Sequence, residues 1–241
     1  MTKFNSYRRK TLLAGGALLF TGCSSVQGIL GGLQSCENTL RDSGSSDAKR
    51  VTSLTDYSQT DQCKILANGT EGPYFKCEDK QIFRRNISKD REGSPMVVGL
   101  RIVNTKCEAI EGAYVDIWHC DGRGDYSLFG SQSSNANPFC RGVMKTDKNG
   151  IVEFDTIVPG WYAGRASHIH FKVHQGNTHY LTNQALLLEE FVAPIYKSTA
   201  PYNEPRNATR TTQNADRLGV SSIFSMTEKE GAPVAVLTLI I

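Results

Sequence analysis

No two cysteines in this 241-residue chain stand at CxxC spacing, and no segment repeats another. The first absence removes the close thiolate pairs that a cysteine-bound metal site would need. The second removes repeat architectures. The apolar run near the N-terminus, Thr11 to Phe20, is too short for a transmembrane helix. Excess charge is missing as well. The formal +3 reflects Lys3, Arg8, Arg9 and Lys10, and removing these four from 27 basic residues leaves 23 against 24 acidic ones, a net of −1. A near-neutral chain with interspersed signs lacks the clustered cations on which nucleic-acid binding depends. Helical periodicity is scarce too, being confined to the region from Ala185 to Phe191.

What the N-terminus does contain is a basic stretch to Lys10, the apolar run, and then Thr21-Gly22-Cys23. This is the layout of an export signal. A small residue directly before a cysteine resembles a bacterial lipobox, which implies a signal over 1–22, a lipid on Cys23 as the membrane link, and a protein facing the periplasm or cell surface. Phe20 stands where leucine is usual. Arg8-Arg9 also resembles a twin-arginine signal. Six further cysteines, Cys36, Cys63, Cys77, Cys107, Cys120 and Cys140, form an even set in an exported chain, so disulfides are the expectation, with the pairing left open.

From 23 to 62 the sequence is rich in Ser, Gly, Asp and Thr and reads as a tether. From 63 to 241 short apolar runs alternate with turn residues, as in an all-β domain. Ala113, Val115 and Ile117 alternate with Tyr114, Asp116 and Trp118; Ile151 to Ile157 follows an Asp147-Lys148-Asn149-Gly150 turn; Val234 to Ile241 is almost wholly apolar, as in a strand buried on both faces. A two-sheet β-sandwich is the natural way to bury such strands.

The segment His168-Ile169-His170-Phe171-Lys172-Val173-His174 alternates throughout. A strand there sends Ile169, Phe171 and Val173 to the core and puts the histidines on the opposite face. At about 3.3 Å per residue, the Cα atoms of His168 and His170 lie ~6.6 Å apart, near enough for both imidazoles to reach one ion. An HxH pair alone also fits surface histidines on a half-buried strand, so other residues must decide.

They include Glu71-Gly72-Pro73-Tyr74, the Trp118-His119-Cys120 to Gly124-Asp125-Tyr126-Ser127 stretch, Pro159-Gly160-Trp161-Tyr162 and Arg165. Their order resembles the intradiol ring-cleavage dioxygenases, the family of catechol 1,2-dioxygenase and protocatechuate 3,4-dioxygenase. The likeness runs from about Cys63 to the C-terminus. It implies a transthyretin-like sandwich core and an iron(III) centre held by Tyr126, Tyr162, His168 and His170. Tyr162 would be the ligand that leaves iron and takes a substrate proton. Arg165 would lie beside the substrate and stabilise charge on its ring, and Gln184 would act from behind the ligands. The partners implied are a catechol-type substrate and O2, both atoms of which enter between the hydroxylated carbons to give a muconate-type diacid. The donor set suits the ion independently of any family, because two phenolates and two neutral imidazoles favour ferric over ferrous iron.

Each residue taken singly has a plainer reading. Tyr162 fits a structural tyrosine of a metal-free sandwich, Tyr126 a loop surface, Trp118 a core residue, Arg165 a salt bridge, and His119, His174 and His179 hydrogen-bonded or exposed positions. A non-catalytic envelope lipoprotein that binds peptide or glycan is therefore the alternative, with copper or zinc handling as a further one. Substrate identity and oligomeric state stay open.

Overall fold

The computed structural model describes residues 49–57, 66–76, 82–132, 138–175, 178–205, 209–218, 220 and 222–241. The expected leader 1–22, Cys23, most of the tether, and Cys36, Cys63 and Cys77 lie outside these residues. Eight strands are described: β1 (Pro95–Val103), β2 (Tyr114–Trp118), β3 (Arg141–Lys145), β4 (Ile151–Ile157), β5 (His168–Gln175), β6 (Thr178–Leu186), β7 (Ser225–Lys229) and β8 (Ala232–Ile240). They form two four-stranded sheets, ordered β4-β1-β8-β7 and β3-β2-β5-β6. The chain is thus an all-β two-sheet sandwich, as its alternation predicts.

Inward-facing side chains of both sheets build one core. On β5, Ile169, Phe171 and Val173 are fully buried, and on β4 so is Phe154. Each buried aromatic or branched side chain contributes roughly 1.5–3 kcal/mol. The turn into β4 forms because Asp147 Oδ1 accepts the N–H groups of Asn149 and Ile151 at 2.8 and 2.9 Å. Gly150 completes it with φ +74°, where a Cβ would lie 2.3 Å from the Ile102 carbonyl.

Strand β8 runs between β1 and β7, pairing parallel with β1 and antiparallel with β7. Its apolar character on both faces has a specific cause. Val234 and Val236 point away from the main core and pack with Tyr57 and Ile151, against which Val51 and Val97 also lie. Tyr57 is only 1% exposed. Gly99 makes room for it, since a Cβ there would stand 2.3 Å from the phenol oxygen. Residues 49–57, which composition assigns to the tether, therefore belong to the folded body. Glu153 pins them by accepting the backbone N–H groups of Val51 and Thr52 at 3.1 and 2.6 Å, while also pairing with Arg85 at 3.0 Å.

Two expectations change. The helix runs over Glu189–Ser198 (α1), sharing only Glu189 to Phe191 with the expected Ala185 to Phe191 region, whose first residues, Ala185 and Leu186, finish β6. A short apolar run does not tell strand from helix by periodicity, and Pro194 inside α1 weakens the helical pattern where it is real. The six cysteines do not all pair. Cys107 is disulfide-bonded, but Cys120 and Cys140 are buried and outside any disulfide. These two pack in separate clusters, Cys120 with Trp118 and Tyr126, Cys140 with Phe139 and Ile157.

Glu153→Ala is expected to cost about 2–4 kcal/mol in urea unfolding, because it strips a buried acceptor from several donors at once. Hydrogen exchange at Val51 and Thr52 should accelerate with it. Unchanged protection there would contradict the pinning role.

Candidate metal centre and active site

The outward face of β5 carries His168 and His170, and both are buried, at 2% and 1% exposure. The cover is local. Across the β2–β5 pair, His170 stands opposite Trp118, whose ring stacks on it at 5.0 Å and 15°. The Glu71-Gly72-Pro73-Tyr74 turn lies over the same imidazole, and a Cβ on Gly72, at φ +73°, would come 3.1 Å from His170 Cε1.

Tyr126 and Tyr162 reach this point from two loops. The first loop closes on Asp121, whose Oδ1 accepts the N–H groups of Arg123 and Asp125 at 2.9 and 3.1 Å. The second is stitched to the first where the Gly160 N–H donates to the Asp121 carbonyl at 2.9 Å. Glycine is needed there because a Cβ would stand 2.6 Å from the Gly122 carbonyl. Tyr126 is 4% exposed, whereas Tyr162 is only partly buried.

The four side chains meet. Tyr126 Oη lies 3.4 Å from His168 Nε2 and 3.3 Å from His170 Nε2, and Tyr162 Oη lies 3.0 Å from His168 Nε2. Donor atoms that share an ion at about 2 Å each stand roughly 3 Å from one another, which is the spacing here. His168 Nδ1 donates to the Ala166 carbonyl at 2.6 Å, fixing the tautomer whose Nε2 lone pair faces the centre. His170 Nδ1 has no hydrogen-bond partner among the described residues.

Electrostatics point the same way. Burial, with Arg165 nearby, lowers His168 to about 4, and burial followed by the neighbouring His168 takes His170 well below its ordinary value. Both rings are therefore neutral donors at neutral pH. Burial raises the Tyr126 phenol well above its usual 10 and raises Tyr162 as well. Phenolates form in such a place only beside a strong positive charge, so two phenols and two neutral imidazoles, with no carboxylate among them, fit a Lewis-acidic cation such as iron(III).

Arg165 borders the centre, with Nη1 3.4 Å from His168 Nε2 and Nη2 donating to Gln184 Oε1 at 2.7 Å. Gln184 is opposite His170 on β6 and donates through Nε2 to the Thr70 carbonyl at 2.8 Å. All six predicted site residues thus fall in one neighbourhood. The remaining histidines do not. His119 bridges the Cys120 carbonyl and Thr156, and His174 pairs with Asp116 at 2.9 Å.

Two neighbours have no role in the sequence-based reading. The Tyr74 ring stacks on Tyr126 at 4.0 Å and 13°, a contact that the Glu71-to-Tyr74 motif signals only by its presence. Asp216 pairs with Arg165 at 3.0 Å. Burial would raise its carboxyl, but hydrogen bonds from the Ala166 N–H and Arg165 outweigh that and hold it below the ordinary range.

A family model described as Dioxygenase matches residues 70–201, more than half of the chain. An intradiol ring-cleavage dioxygenase structure from Tetranychus urticae is 32% identical, with a TM-score of 0.68 over 74% of this chain and 94% of that one. The chain belongs to the intradiol ring-cleavage dioxygenase family. Catechol 1,2-dioxygenase 1 of Acinetobacter lwoffii is 26% identical over 63% of this chain and 56% of that protein. The chain spans about half the length of the catechol dioxygenases that it matches in sequence. The dioxygenase domain of a carbohydrate-binding fusion protein from Streptomyces, 23% identical at a TM-score of 0.55 over 74% of this chain and 98% of that one, shares the fold.

Within this family member, burial of neutral His119, His168 and His170 makes the metal-free fold sensitive to acid. Their folded values are depressed, to about 4 for His119 and His168, so the unfolded chain, with histidines near 6.5, binds more protons as pH falls. Stability should be full above about pH 6.5 and drain toward pH 4, by up to roughly 1.4 kcal/mol per pH step for each histidine. Urea midpoints of the metal-free protein between pH 7 and 5 check this; a flat profile would contradict neutral burial.

Proposed function

We propose that this protein is a non-haem iron(III) intradiol dioxygenase that cleaves a catechol-type diol between its two hydroxylated carbons, using O2 and yielding a muconate-type diacid. The observation that carries the reading is the convergence of Tyr126, Tyr162, His168 and His170 with 3.0–3.4 Å between their donor atoms. Family membership supports the reaction type. When bound, the ferric ion supplies the Lewis acidity that ionises its phenol ligands and a chelating catechol.

The chain's own residues do the rest. Tyr162 stands on the more open side and Tyr126 on the closed side, so the substrate approaches past Tyr162. Tyr162 Oη then accepts the proton of an incoming catechol hydroxyl. The Arg165 guanidinium stabilises negative charge that develops on the ring, with Gln184 holding one of its nitrogens. Trp118 and Tyr74, stacked on His170 and Tyr126, keep water from the closed side.

Oxygen uptake by the iron-loaded protein against a panel of catechols, with product identification, tests the reading. Intradiol diacids are expected, with activity down more than about 100-fold in Tyr126→Phe and His170→Ala. Ring opening beside the diol, or no uptake with any catechol, would overturn it.

We further propose that the enzyme acts outside the cytoplasm, tethered by lipid on Cys23. The basic stretch, apolar run and Gly22-Cys23 pair support this. Palmitate labelling in a bacterial host should mark the wild type and vanish in Cys23→Ser; equal labelling of both would exclude the anchor.

A further inference from the structure

Beyond Pro201, where the family match ends, the segment 209–218 returns to the centre and carries Asp216. The Asp216 carboxylate is almost wholly enclosed, with its side chain 1% exposed against 4% for Arg165. Oδ2 accepts Arg165 Nε at 3.0 Å and the Ala166 N–H at 2.8 Å, and Oδ1 accepts the Leu218 N–H at 3.0 Å. The segment itself is tied at both ends. Arg210 pairs with Glu189 of α1, Gln213 Oε1 accepts the Glu189 N–H at 3.2 Å, and the Arg217 N–H donates to the Gly164 carbonyl at 3.4 Å.

The guanidinium is planar, so its orientation follows from its anchors. Nε is held by Asp216 and Nη2 by Gln184, which leaves Nη1 turned toward His168. Asp216 is also the carboxylate that pairs with Arg165, and an enclosed cation that loses its counter-charge does not keep its place. We propose that Asp216 is a positioning residue that fixes the Arg165 guanidinium against the candidate metal centre, making segment 209–218 part of the active site. The catalytic consequence rests on the proposed dioxygenase reading; the positioning itself does not.

Asp216→Asn keeps the shape and removes the charge. In the iron-loaded protein it should lower kcat roughly 10- to 100-fold while iron content and visible absorption stay at wild-type levels. In an Arg165→Gln background the same change should cost less than about 3-fold, because the two residues act as one unit. Asp216→Glu, which retains the carboxylate, should recover part of the loss and serves if the Asn variant fails to fold. On the metal-free full chain, the Arg165 Nε–H resonance should exchange slowly in wild type and quickly in Asp216→Asn. Wild-type kcat in Asp216→Asn, an equal loss in both backgrounds, or an unaltered Nε–H resonance would overturn the proposal. If the wild type turns over no catechol, the dioxygenase reading fails and the resonance alone decides whether Asp216 holds Arg165.

Discussion

The site depends on a strand that is buried on both faces for different reasons. One face of β5 is the hydrophobic core, with Ile169, Phe171 and Val173 fully enclosed. Because side chains alternate strictly, that burial obliges His168 and His170 to point the other way, two residues apart and on a rigid base. The core thus aims the imidazoles. A slip of one residue would bury the histidines in hydrocarbon and turn Phe171 onto the site face, so the register is strongly fixed.

The opposite face is finished by loops, and each is locked by a short-range device. A carboxylate turn at Asp121 and the close approach at Gly160 bring in the two tyrosines, while the turn at Gly72 closes over His170. Enclosure has an electrostatic result. It holds the imidazoles neutral and the phenols protonated until a strong cation is present. A second covering operates on the other sheet, where residues 49–57 seal the outer face of β8 through Tyr57 and Glu153.

Much of this is legible in the sequence, for identifiable reasons. Period-two alternation marks β2, β4 and β5, and His168-x-His170 announces a shared face. Gln184 comes from the family resemblance, and its place opposite His170 gives that position its physical sense. What stays hidden depends on contacts between distant segments. Asp216 lies in a polar stretch without periodicity, and only the fold brings it to Arg165. Residues 49–57 look like tether because their composition is polar, although Tyr57 supplies a large, fully buried anchor. The strand-to-helix boundary near Leu186 is blurred because an apolar run suits either element.

The proposed function requires that two phenols and two imidazoles hold one ferric ion. Titration of the metal-free protein with iron(III), followed by visible absorption, tests it most directly. A tyrosinate-to-iron charge-transfer band should grow to saturation at one equivalent and weaken in both Tyr126→Phe and Tyr162→Phe. Saturation without a visible band, or a band indifferent to both substitutions, would contradict the account.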